Sequence, residues 1–103
     1  MKTPMTEANF NVMYRDVQSR FGLGAKFTAL VDIFNNTANY FTTAQAKQLI
    51  QLLSSETNRL TLAKSSYRTI TDRQNFTQMY DILSSQTSKD ELAAYVNAYP
   101  VNQ

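Results

Sequence analysis

Thr42-Thr43-Ala44-Gln45-Ala46-Lys47-Gln48-Leu49-Ile50-Gln51-Leu52-Leu53-Ser54-Ser55-Glu56-Thr57 holds one whole helix and the start of another. Thr42 and Gln45 are spaced as a capping box, in which a hydroxyl and a side-chain amide satisfy two free backbone N–H groups reciprocally. Ala46, Leu49, Ile50 and Leu53 then recur at intervals of three and four, the apolar stripe of an amphipathic helix. Ser54 and Ser55, just before Glu56, offer the next N-cap. So short a linker makes the two helices antiparallel neighbours. The junction itself repeats: Leu53-Ser54-Ser55-Glu56-Thr57 returns as Leu83-Ser84-Ser85-Gln86-Thr87.

The same periodicity runs outward in both directions. Phe10, Met13, Tyr14, Val17 and Phe21 form one stripe, and Phe27, Leu30, Val31 and Phe34 a second. Beyond the junction follow Leu60, Ala63, Tyr67 and Ile70, then Phe76, Met79, Tyr80 and Leu83, then Leu92, Tyr95, Val96 and Tyr99. No segment alternates at period two for long, so the chain reads as all-α. Thr71-x-x-Gln74 and Ser88-x-x-Glu91 are further capping-box candidates, with Asp72 competing for the first of these starts. Phe21-Gly22-Leu23-Gly24 separates the first two helices, because glycine is a poor helix interior and a good terminator. Pro4 suits a first helical turn, and Pro100 follows the last stripe as a stop. The expected helices span 4–20, 24–38, 43–53, 56–69, 73–83 and 89–99. They form three antiparallel hairpins in one domain over 4–99, with short tails at 1–3 and 100–103. Phe10, Phe41 and Phe76 open the three units, and Lys26, Arg59 and Lys89 stand at matching places near the start of each second helix. This points to a compact helical-repeat stack or bundle in which each unit buries its face on the next.

Composition removes most enzyme chemistry. The 103 residues include no Cys and no His, so disulfides, thiolate metal sites, cysteine nucleophiles and His-centred triads are all excluded. Two glycines leave no Gly-rich phosphate loop. The net charge is only +2, and the basic residues are scattered, whereas duplex binders concentrate Lys and Arg on one face. Nucleic acid is therefore not an expected partner. The N-terminal residues hold no apolar signal region, and no stretch approaches the length of a membrane span. The polar, Cys-free composition fits an exported bacterial domain better than a cytosolic one. A periplasmic or extracellular location follows if the chain is the mature part of a longer precursor.

The middle and end of the chain resemble a known family. Its pattern is visible in Tyr40-Phe41-Thr42-Thr43-Ala44-Gln45, Leu52-Leu53 and Arg59-Leu60-Thr61-Leu62-Ala63-Lys64, and continues through Tyr67, Asp72, Asn75-Phe76 and Leu92…Tyr95-Val96. These residues are similar to the domain-of-unknown-function family with serial number forty-four seventy-six. The resemblance covers roughly residues 8–97, and Tyr67-x-x-x-x-Asp72-x-x-Asn75-Phe76 is its most specific stretch. It implies a small helical domain, frequent at the C-terminal end of exported bacterial proteins and also found in eukaryotes. No activity comes with it.

Each candidate site has a structural counterpart. Tyr67 and Asp72 make either a polar pair in a cleft, or a core ring and a carboxylate accepting N–H bonds at the start of the fifth helix. Asp90-Glu91 lie in a first helical turn, and Asp16–Arg20 and Glu56–Arg59 read as surface helix pairs. Lys26, Arg59 and Lys89 either donate to the free carbonyls ending the preceding helix, or form a basic ladder for an acidic partner with Lys64 and Arg68. The tyrosines fall on core stripes, which argues against base stacking. Asn35-Asn36-Thr37 and Asn75-Phe76-Thr77 match a glycosylation pattern at no more than chance frequency. The expectation is a monomeric, non-catalytic interaction or structural module of a larger protein, without cofactor or metal and with its protein partner unidentified. The alternative is a small-ligand or enzyme domain using Tyr67, Arg68 and Asp72.

Overall fold

The computed structural model describes residues 2–22 and 24–100. Met1, the Leu23 of the turn motif and residues 101–103 of the expected tail lie outside the described residues. Five α-helices are present: α1 (Glu7–Gln18), α2 (Ala25–Asn35), α3 (Thr43–Ile50), α4 (Glu56–Ser66) and α5 (Gln86–Ala98). A 3-10 turn (Tyr67–Thr69) extends α4, and a 3-10 helix (Arg73–Ile82) stands where the fifth α-helix was expected. The fold is all-α, as the periodicity requires.

The helix ends differ from the expected ones for local reasons. Pro4 precedes α1, because Thr6 is its N-cap and accepts the Asn9 N–H. α2 stops at Asn35 because the Asn36 carboxamide accepts the Ala38 N–H, and the Asn39 amide donates to the Ile33 carbonyl. Such side chains offer the backbone an alternative to the helix. The Thr42–Gln45 capping box forms in full. The Ser55 and Ser85 hydroxyls cap α4 and α5 by accepting the Asn58 and Ser88 N–H groups, so the repeated pentad marks both starts. Ser88 is therefore inside α5 and is not its cap. Thr71 does not cap the 3-10 helix either, since its N–H and hydroxyl are both spent on the Phe41 carbonyl. The 3-10 helix buries Phe76, Met79 and Ile82, a spacing of three that matches three residues per turn. Asn75, Thr77, Tyr80 and Asp81 add poor α-helix propensity.

The helices stack in two rows within a slab of 34 × 34 × 19 Å. α1, α3 and the 3-10 helix form one row, and α2, α4 and α5 the other. Across the rows α1 meets α2 and α3 meets α4, while the 3-10 helix leans mainly on α3 and α5 on α4. The starts of the first row are laced together by backbone. Met5 N–H donates to the Tyr40 carbonyl at 2.8 Å, Phe41 N–H to Thr69 at 2.9 Å and Thr71 N–H to Phe41 at 2.9 Å. Phe41 and Ile70 form a parallel bridge, so Ile70 is extended and does not belong to the α4 stripe. The Gln45 amide completes the seam by donating to the Met5 carbonyl and the Glu7 carboxylate.

Beneath the seam, Phe41 meets Phe10 and Phe34 edge-on. One continuous core joins these rings to Leu30, Leu49, Leu62, Met79 and Leu92. Phe21 departs from its stripe: it is 92% exposed, because α1 ends at Gln18 and the chain turns away through Gly22 and Gly24, both at positive φ. Among the described residues, no helix is long and apolar enough to cross a membrane.

Candidate functional site

The basic residues act at helix ends, where unpaired carbonyls concentrate partial negative charge. Lys26 Nζ donates to the Arg20 carbonyl just beyond α1 at 2.8 Å. Arg59 reaches two helix ends at once: Nε donates to Leu53 at 2.8 Å, Nη2 to Gln51 at 3.4 Å and Nη1 to the Ile82 carbonyl at 3.0 Å. Arg68 closes the end of α2 by donating to the carbonyls of Phe34 and Asn36. Lys64 instead pairs with Glu91 on α5. Lys89, half-buried on α5, makes no side-chain hydrogen bond among the described residues. The five cations therefore point to different parts of the stack.

Glu56 and Arg59 are not a surface pair. From the first turn of α4, Arg59 reaches the last carbonyl of the 3-10 helix and Glu56 the chain between that helix and α5. The Glu56 carboxylate accepts the N–H groups of Ser84 and Ser85, each at 3.1 Å, and the Ser84 hydroxyl at 3.2 Å. These bonds, led by the Ser84 and Ser85 amides, hold the Glu56 pKa at about 2, against an ordinary 4.5. Asp16–Arg20 does form the expected pair at 3.0 Å.

Asp72 also acts across the fold. Its Oδ1 accepts the Thr43 N–H at 2.7 Å and the Thr43 hydroxyl at 2.9 Å, while Oδ2 accepts the Asn75 amide at 3.1 Å. It thus caps α3 and makes no side-chain cap bond to the 3-10 helix that follows it. Burial raises the Asp72 pKa, but the Asn75 and Thr43 bonds together outweigh it and leave the carboxyl below its ordinary value. Tyr67 packs edge-on against Phe76 at 4.8 Å and Tyr99 at 5.0 Å. Burial and the neighbouring Tyr67 raise the Tyr80 pKa. Tyr67, Arg68 and Asp72 therefore face three different partners, and no hydrogen bond joins them among the described residues. The motif Tyr67, Asp72, Asn75 and Phe76 is a joint between two helix starts and an aromatic cluster.

Among the described residues, two recesses bear on these side chains. One, of about 370 Å³, lies between the α1–α2 and α3–α4 turns, with Gly22, Lys26, Phe27, Leu52 and Asn58 in its wall. The other, of about 420 Å³, is lined by Tyr67, Arg73, Val96, Asn97, Tyr99 and Pro100. Arg73, absent from the sequence-level candidates, lies with its guanidinium carbon 4.4 Å from the Tyr67 ring centroid and 5.1 Å from that of Tyr99. Among the described residues its guanidinium makes one hydrogen bond, a long one from Nη2 to the Tyr67 carbonyl at 3.4 Å, and its buried Nε has no partner. In the sequence Arg73 lies six residues after Tyr67 but 26 before Tyr99, so the site is assembled by the fold and not by a local pattern.

A family model described as Domain of unknown function (DUF4476) matches residues 4–96. No curated protein and no solved structure matches the chain.

Proposed function

The chain belongs to the DUF4476 family of domains of unknown function, and from that premise we propose that it is a non-catalytic protein-interaction module of a larger protein. What carries the reading is how its polar groups are spent. Glu56, Arg59, Arg68 and Asp72 are each bonded to backbone at helix ends, where they hold consecutive helices together. Acid–base chemistry needs such groups poised toward a substrate; these serve the stack. The contact point is Phe21, which holds its ring in water one residue before Gly22 in the recess wall. Covering a phenylalanine ring contributes about 1.5–3 kcal/mol, enough to anchor a partner's apolar side chain.

The test places a photo-cross-linking residue at Phe21 in one variant and at Val12 in another. Val12 is 70% exposed in the middle of α1, ten residues in sequence from the wall residue Gly22, and serves as an exposed apolar control. A discrete protein adduct from position 21 alone, formed in the native cell, is the expected outcome. Equal, diffuse labelling from both positions, or none from position 21, would remove Phe21 as the contact.

A further inference from the structure

We propose that the cavity between Tyr67, Arg73 and Tyr99 binds a carboxylate, gripped by the N–H edge of the Arg73 guanidinium. This inference is independent of the interaction reading above. The rings of Tyr67 and Tyr99 stand at 78° to each other with centroids 5.0 Å apart, and Phe76 fixes Tyr67 from behind. The guanidinium lies over both rings, with its central carbon 4.4 and 5.1 Å from their centroids. That arrangement orients the group and leaves its edge for hydrogen bonding.

The edge is underused. Arg59 donates to three carbonyls and Arg68 to two, whereas Arg73 makes one bond at 3.4 Å and leaves a buried Nε–H unpaired. Buried N–H groups in folded proteins are nearly always paired, so a missing acceptor calls for an explanation. None of the ion pairs among the described residues involves Arg73. The adjoining space, about 420 Å³, falls in the range of roughly 300–1,000 Å³ common to small-ligand sites. Nε–H and an Nη–H lie in one plane at a spacing that matches the two oxygens of a carboxylate. A small swing of the guanidinium exchanges the long Tyr67 bond for that pair and gives Nε its acceptor. Val96, Pro100 and the tyrosine rings then surround the apolar body of the ligand.

A carboxylate of this kind comes either from a small aromatic acid or from the C-terminus of a peptide, and the test separates the two. The Arg73 Nε–H resonance is followed in the 15N-labelled protein at constant ionic strength. The probes are benzoate, an N-acetyl dipeptide ending in free valine, the same dipeptide amidated, and inorganic phosphate, each to about 20 mM, a range that reaches millimolar Kd values. The expected result is a saturable shift of that resonance with benzoate or the free peptide, with the backbone amides of Asn97 and Tyr99 in the cavity wall shifting in step; in Arg73→Lys, which keeps the charge but not the fork, those amides report binding at least about tenfold weaker. The tighter of the two probes names the source. No saturable shift in the unmodified protein would overturn the proposal, and so would equal binding of the amidated peptide. Tighter binding of inorganic phosphate than of either carboxylate would also overturn it. The primary readout uses the unaltered chain, so it does not depend on how well the variant folds.

Discussion

Removing the Asp72 carboxylate tests whether one side chain holds two helix starts together. In Asp72→Ala the Thr43 N–H and hydroxyl lose the acceptor that lies at 2.7 and 2.9 Å. Thr43 is fully buried, so water does not replace it. A stranded buried donor costs about 1–3 kcal/mol, and partial relaxation of the seam recovers some of that for two donors on one residue. The expected loss is about 2–3 kcal/mol, above the usual cost of losing a local cap. At about 4–8 °C per kcal/mol for a domain of this size, the melting temperature falls by roughly 8–24 °C. Asp72→Asn keeps an oxygen for Thr43 and loses mainly the charge, about 0.3–1 kcal/mol. The pH dependence has a definite sign. Asp72 has a lower pKa folded than unfolded, so its contribution is complete above the ordinary value of 3.8 and fades as pH falls through the folded value. The deficit of Asp72→Ala therefore shrinks in acid. Urea unfolding of the three proteins at neutral and acid pH measures all of this. An alanine variant within about 0.5 kcal/mol of the parent, or an asparagine variant as unstable as alanine, would refute the cross-fold cap.

Three further outcomes follow from the same geometry. Arg59→Met removes bonds to the carbonyls of Gln51, Leu53 and Ile82 but keeps the stem, so it is expected to cost about 1–2 kcal/mol, and Arg59→Ala about 1 kcal/mol more. Lys26, with one such bond, is expected to show a smaller effect, and methionine no better than alanine at both sites in urea unfolding would contradict the account. Glu56 titrates at about 2 when folded, so the stability it confers is present above 4.5 and lost as pH falls toward 2. In Glu56→Gln that part of the acid dependence of the urea midpoint is expected to be absent. Duplex DNA or RNA is expected to bind negligibly at about 150 mM salt, and submicromolar, salt-dependent binding in a fluorescence titration would overturn that expectation.

Interactions spanning a few residues were legible without the fold. The stripes at three and four, the Thr42–Gln45 box and the glycine break between α1 and α2 all follow from geometry within one or two turns of helix. The Ser54-Ser55 pair before Glu56 placed the cap Ser55, whereas its repeat at Ser84-Ser85 gave way to the isolated box pattern at Ser88, which misled because a spacing of three recurs by chance in a sequence rich in Ser, Gln and Glu. Lys26 and Arg59 were also readable, since each reaches a carbonyl six residues back along the chain.

Other features required the stack itself. Asp72 has donors available on its own helix, yet it serves Thr43, because the Phe41–Ile70 bridge sets the two helix starts side by side. Glu56 and Arg59 are spaced to pair with each other, yet they separate to satisfy amides and a carbonyl at the next turn. Arg73 gains its aromatic bed only when the end of α5 folds back beside the 3-10 turn. The sequence by itself determined which segments are helical and where most of them start, because those choices rest on contacts within about four residues. Which charged group serves which helix end was decided only by the tertiary structure, since several partners compete locally and packing alone brings the distant one within hydrogen-bond range.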